Sequence, residues 1–203
     1  MNATINLENK HFPVLLNELI SIISPLYGGT FIDCTFGAGG YSKRILENKS
    51  NKIIALDRDN SVNDIAAKFK SNYKKRFEFY NRKFSEIGEI KKKDIKAIIF
   101  DLGYSLNQIS NLNRGLSFKS KGKLDMRMGL NDFSCDEVIS NMSQQNLFKI
   151  FKYFGDEKYA KPISKEIIKL RKNKKIKTEN LVEIIENIKT KKSGKNNSTK
   201  IFQ

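Results

Sequence analysis

At 203 residues, with 39% hydrophobic and 30% charged side chains, the chain can form one large domain or two small ones around a real core, which excludes a disordered tail. It contains no apolar run of membrane-spanning length, Met1–Phe12 lacks the basic and apolar regions of a signal peptide, and Cys34 and Cys135 supply no disulfide framework, so a cytoplasmic protein without a membrane role is expected. The net charge of +16 is uneven: residues 1–107 carry 17 basic and 12 acidic side chains, residues 108–203 carry 21 and 10.

Such a basic surface fits a polyanion, nucleic acid first and an anionic membrane second. Yet 31 of the 38 basic residues are Lys, and Asn and Ile are abundant too, as drift toward A/T-rich codons produces. Charge alone therefore leaves RNA binding open.

In chain order, 13–23 predicts an amphipathic helix with Pro13 in its first turn. Strands are predicted at 30–33, 52–56, 77–80 and 96–100, separated by helices at 41–48, 61–69 and 85–91. That alternation implies parallel βαβ units and a sheet buried on both faces. From 107 to 131 the sequence reads as a loop with Gly115, Gly122 and Gly129. Helices follow: one opened by a capping box at Ser134–Glu137, and one on the apolar series Leu147, Ile150, Phe151 and Phe154. A third spans 156–172 with its start delayed by Pro162, and a fourth is capped by Thr178. Residues 189–200 read as polar and mobile.

Two segments carry chemistry. Asp33–Ser42 follows a strand and opens a helix, and Gly37, Gly39 and Gly40 let backbone approach a ligand, as in the first turn of a nucleotide-binding sheet. No GK[ST] follows, which excludes a P-loop. Asp57, ending the next strand, can accept both hydroxyls of a ribose, or it simply ends the strand and pairs with Arg58 or Lys52. Dinucleotide oxidoreductases and adenosylmethionine-dependent methyltransferases share this layout. The acidic Asp33 favours the second, since pyrophosphate needs the room and a cationic methionine moiety suits a carboxylate. Asp101–Gln108 then follows the fourth strand, which should flank the first across the switch point and bring Asp101 beside the glycine loop, unless that cluster is an ordinary turn. His11, the only histidine, is a weak candidate base; capping or packing is its commoner role.

The segments His11–Glu18, Asp33–Gly40, Ala55–Asp59, Phe100–Gly103, Asn113–Phe118 and Leu124–Met128, with Tyr153–Glu157 in register, resemble the MraW/RsmH family. The resemblance runs from about His11 to Gln203. It implies an α/β fold, a Rossmann-like class I methyltransferase sheet of which the first four parallel strands are present (residues 1–106), with an inserted, mainly helical substrate-recognition domain (107–203). It implies S-adenosyl-L-methionine as cofactor, no metal, and methylation of a cytidine N4 amino group in 16S ribosomal RNA of the small subunit, with a homodimer admissible. Carried over by position, cofactor contacts fall on Gly39, Gly40, Tyr41, Asp57, Phe84, Asp101 and Gln108, with Asp101 also the candidate to orient the acceptor amine. Tyr41 replaces the family's usual histidine, Tyr104-Ser105-Leu106-Asn107 departs from its double serine and proline, and Pro162 replaces an arginine. Phe84 would flank adenine or simply pack in the core. Arg114, Lys119, Lys121, Lys123 and Arg127 form the candidate RNA patch, or a solvated loop. Asn197–Gln203 resembles the family's PATRxFQ segment, beyond which relatives continue, so the expectation is a chain without the family's C-terminal segment and with an exposed fourth strand. Two alternatives stand beside the enzyme: a dinucleotide oxidoreductase, and a non-enzymatic RNA-binding remnant.

Overall fold

The computed structural model describes residues 13–190 and 196–203; His11 lies outside the described residues. The chain forms two compact units, one of residues up to Ser105 together with Met128–Leu130, the other of Leu106–Arg127 with Asn131–Gln203.

In the first unit β1 (Gly29–Asp33), β2 (Asn51–Asp57), β3 (Phe77–Asn81) and β4 (Ile95–Ile99) form a parallel sheet in the order β3-β2-β1-β4. All four predicted strands are present within a residue or so of their expected limits. The period of two sorts their side chains by face. Phe31 and Ile53 point into a core closed by α1 (Leu16–Ile23), α2 (Gly40–Leu46) and α3 (Asn63–Tyr73), where the Phe36 ring meets Phe69, Phe77 and Phe79 at 5.1–5.6 Å. Ile32, Ile54 and Leu56 point the other way, against Tyr80, Ile87 and Ile90. On that second face Ile98, in register with Ile32, is 48% exposed on the β4 edge.

Two expectations in this unit change. Leu15 adopts a left-handed φ of 52° just before α1, so the helix starts at Leu16 and Pro13 is not in its first turn. Residues Phe84–Glu89 form a 3₁₀ rather than an α-helical segment.

The second unit packs α5 (Cys135–Asn141), α6 (Gln144–Lys149), α7 (Ala160–Leu170), α8 (Thr178–Ile188) and α9 (Thr199–Phe202) around Leu124, Ile139, Leu147, Phe151, Ile163, Ile167, Leu181 and Ile185. The Ser134 capping box forms as read: Ser134 Oγ accepts the Glu137 N–H at 3.2 Å and Glu137 Oε2 accepts the Ser134 N–H at 2.7 Å. Pro162 is the third residue of α7, where a backbone donor is not needed. Thr178, however, is not a cap. It is the first residue of α8, and its N–H and hydroxyl both donate to the Gly122 carbonyl, at 3.0 and 3.3 Å. The series ending at Phe154 also breaks. Ile150–Phe154 is a π turn, whose wider winding rotates Phe154 off the buried face that Leu147 and Phe151 share.

The stretch 107–131 is less loop-like than its composition predicts. It starts within a short helix, α4 (Leu106–Ser110), and Leu124 is fully buried in the helical core. The two motifs of that stretch lie side by side: at Gly115, φ 71°, a Cβ would stand 2.7 Å from the Lys123 carbonyl oxygen and 3.3 Å from the Leu124 Cα. Gly129 belongs instead to the first unit, where Leu130 N–H donates to the Arg58 carbonyl at 3.0 Å.

The described residues at the two ends of the 189–200 stretch are tied down by packing and hydrogen bonds. Asn197 and Ser198 are buried, and Lys189 Nζ donates to buried Glu157 at 2.8 Å and to the Asn197 carbonyl at 2.7 Å. Phe202 packs edge-to-face on Phe118.

Candidate functional site

The strands deliver three carboxylates to one edge of the sheet. Asp33 ends β1, Asp57 ends β2, and Asp101 stands two residues beyond β4. Because the strands are parallel and β1 lies between β2 and β4, the three groups converge beside the turn that opens α2.

Asp33 is fully buried. It accepts the Ser42 hydroxyl at 2.7 Å and the Thr35 N–H at 3.3 Å. Burial pushes its carboxyl up to about 6 despite those bonds, and the Asp57 and Asp101 charges push the same way. Asp57 is raised chiefly by burial as well. Its Oδ2 accepts the Gly37 N–H at 2.8 Å and its Oδ1 the Asp59 N–H at 2.9 Å, and the Arg58 backbone N–H also bonds to the carboxylate. A carboxylate has about four lone-pair sites, so backbone donors leave capacity on Asp57 for a ligand hydroxyl. Asp101 is held from behind, its N–H donating to Thr35 Oγ1 at 2.8 Å.

The three glycines serve different ends. At Gly37, φ 51°, a Cβ would meet nothing closer than the Thr35 oxygen at 3.8 Å, so the surface above it is open. At Gly39, φ 77°, a Cβ would strike the Phe69 and Phe36 rings at 2.5 and 2.9 Å, and at Gly40 it would strike Pro13 at 2.2 Å. The sequence assigns all three to ligand approach; at Gly39 and Gly40 the space is taken by the protein's own packing. Gly103, beside Asp101, is again open on the side a Cβ would occupy.

Tyr41 is buried. Its hydroxyl donates to the Val14 carbonyl at 2.6 Å and lies 3.4 Å from Asp101 Oδ2. Burial, then the Asp101 charge, pushes its pKa up to about 12, so it remains a neutral phenol. Phe84 is not a core residue: 40% exposed, it meets the Phe100 ring edge-to-face at 5.7 Å. Gln108 lies half-buried on α4, in the second unit. Thr35 and Ser42, which brace the carboxylates, are the site residues that a search for glycines and acids passes over; hydroxyls flanking the glycine turn are their only sequence signal.

In the second unit Arg127 forms a bidentate pair with Asp125 at 2.7 and 2.8 Å, and Arg114 donates to the Arg127 carbonyl at 2.8 Å. Those two cations build the loop, whereas Lys119, Lys121 and Lys123 are exposed. Burial pushes the Cys34 thiol up to about 11 and the Cys135 thiol up to about 12, which favours the protonated thiol in both. Among the described residues no cluster of His, Cys, Asp and Glu could hold a metal ion, and no helix is long and apolar enough to cross a membrane.

A glycine turn with three converging carboxylates and no P-loop is the geometry expected of the resemblance, and residues 8–203 match the MraW methylase family. The chain belongs to that family. Ribosomal RNA small subunit methyltransferase H of Orientia tsutsugamushi (strain Ikeda) is 40% identical over 205 residues, covering 97% of this chain and 66% of the relative. The protein of the same name from Rickettsia canadensis (strain McKiel) is 39% identical, covering 97% and 65%. The one from Rickettsia bellii (strain OSU 85-389) is 38% identical, covering 97% and 66%. The chain thus spans slightly less than two thirds of the length of these curated relatives.

The site's acids make its stability pH-dependent. Asp33 takes up its proton more readily when folded than when unfolded. The stability it contributes is therefore fully present below about pH 4 and is lost as pH rises through about 6. With each pKa unit worth about 1.4 kcal/mol, the full penalty is on the order of 3 kcal/mol at neutral pH. Denaturant melts of Asp33→Asn against the unaltered chain should show an advantage for the variant that grows between pH 4 and 6.5. A difference that stays constant with pH would contradict it.

Proposed function

We propose that the chain binds S-adenosyl-L-methionine on the Asp33, Asp57 and Asp101 edge of the sheet and methylates the N4 amino group of a cytidine in 16S ribosomal RNA, in the cytoplasm. The observation that carries this is the convergence of three carboxylates, one fully buried, on an open glycine turn. Such a desolvated acidic site gains most from a cationic ligand, and its residues fit this cofactor. Bound there, adenosylmethionine supplies an electrophilic methyl group on a cationic sulfur.

The chain's residues do the rest. Asp33 neutralises positive charge in the methionine moiety, and Asp57 accepts the ribose hydroxyls while holding the Gly37 backbone in place. The exposed face of Phe84 flanks the adenine, and the backbone of Gly39, Gly40 and Tyr41 supplies the remaining contacts taken from the family. Asp101 would accept hydrogens of the cytosine amine and so orient it; the Tyr41 hydroxyl, donating to the Val14 carbonyl at 2.6 Å, packs 3.4 Å from that carboxylate. Positioning of this kind supplies most of the acceleration in an in-line transfer. The names of the relatives, which act on small-subunit ribosomal RNA, support the acceptor, and Lys119, Lys121 and Lys123 supply phosphate contacts, with Arg114 and Arg127 shaping their loop. Asp101→Ala is the test: methyl transfer to small-subunit RNA should fall by at least about a hundredfold, the scale of a lost positioned acid-base group. Unchanged transfer contradicts the role.

A further inference from the structure

The segment Tyr153–Glu157 was set apart by resemblance, yet the methyl-transfer site does not use it. Tyr153 is 74% and Phe154 85% exposed, and Tyr159 nearby is also exposed. The π turn produces this exposure, and the turn is firmly seated. Phe151 beneath it is buried, the Glu157 N–H donates to the Phe151 carbonyl at 3.0 Å, and Gly155 lies so close to Lys200 that a Cβ would stand 2.2 Å from its carbonyl oxygen. Three exposed aromatic side chains within seven residues, on a seated turn, mark an interaction surface.

The exposed charge around them is mainly positive. Lys149, Lys152, Lys158 and Lys161 are all exposed. The two acids of the stretch are already satisfied, Glu157 by Lys189 at 2.8 Å and Asp156 by Lys200 at 2.9 Å. Lys152 and Lys158 further hold the Asp156 carboxyl below its usual range, which places both cations at the turn itself. Aromatic faces interleaved with lysines match a polyanion carrying planar groups. A membrane-binding helix would instead carry one long apolar stripe, which this short turn lacks.

We propose that Tyr153, Phe154 and Tyr159, with Lys149, Lys152, Lys158 and Lys161, form a stacking platform for a single-stranded segment of RNA. It rests on the reading of RNA as substrate and adds a contact surface to it. The rings take successive bases and the lysines take the phosphates between them.

The chain contains no tryptophan, so Phe154→Trp introduces a single fluorophore that still stacks. Its emission should be quenched by a single-stranded RNA oligonucleotide, and that variant should bind the RNA as the unaltered chain does. Tyr153→Ala combined with Phe154→Ala should weaken binding by roughly 10- to 100-fold, with the slope of log affinity against log salt unchanged. Lys152→Gln combined with Lys158→Gln should instead reduce that slope by about 1.4, near 0.7 per phosphate for single strands. If the unaltered chain binds RNA and the double alanine variant binds it equally well, the platform is overturned and the RNA reading stands. If the unaltered chain binds adenosylmethionine but no RNA, both fall. Loss of binding to anionic vesicles, or of self-association, in the alanine variant with RNA affinity intact would assign the rings to a membrane or to a second copy and overturn the proposal.

Discussion

Asp57→Ala should reduce adenosylmethionine affinity by about a hundredfold or more. Two roles converge on this carboxylate: it accepts the Gly37 and Asp59 N–H groups at 2.8 and 2.9 Å, and in the proposed complex it accepts the ribose hydroxyls. Hydrogen bonds to a charged acceptor contribute roughly 1.5–3 kcal/mol each, so losing the ligand's pair alone accounts for that factor or more. Asp57→Asn keeps one acceptor oxygen and should retain part of the affinity. Calorimetric titration of both variants checks the order; an alanine variant that binds as tightly as the parent would remove Asp57 from the site.

Glu157→Ala should unfold the helical unit near physiological temperature. Glu157 is 2% exposed, its Oε2 is bonded to Lys189 Nζ at 2.8 Å and its Oε1 accepts the Tyr159 N–H at 2.9 Å. Removing it strands a lysine whose side chain is only 13% exposed. Breaking one partner of a buried pair costs about 3–5 kcal/mol, a large share of a domain's net stability. Replacing both, as Glu157→Gln with Lys189→Met, leaves no uncompensated charge and should recover most of the loss. Thermal melts followed by circular dichroism distinguish the two, and equal melting temperatures for Glu157→Ala and the parent would show that the pair holds nothing.

The sheet was the most legible part of the chain. Its strands are short runs, three ending in Asp or Asn and the fourth followed two residues later by Asp101, and a period of two with helices between them admits few topologies. Asp33, Asp57 and Asp101 were legible for the same reason: a parallel sheet delivers strand ends to one edge. What sequence could not show is which groups the protein keeps for itself. Gly39 and Gly40 look identical to Gly37 in a motif, yet only the surroundings, Phe69 and Phe36 at one and Pro13 at the other, reveal that their missing Cβ is a packing requirement. Phe154 fitted a 3.6-residue period that the π turn does not follow. Leu124 sat in a glycine- and lysine-rich stretch whose composition reads as loop, while its burial depends on helices far along the chain. The buried Glu157–Lys189–Asn197 network joins residues up to 40 positions apart, and no local pattern announces it.

The most direct measurement is a titration of this chain with S-adenosyl-L-methionine and, in parallel, with NADH, each repeated on Asp57→Ala. Saturable binding of adenosylmethionine that Asp57→Ala weakens by about a hundredfold or more, with none for NADH, is the predicted result. Binding of NADH alone, or salt-sensitive RNA association with no adenosylmethionine binding at all, would contradict it.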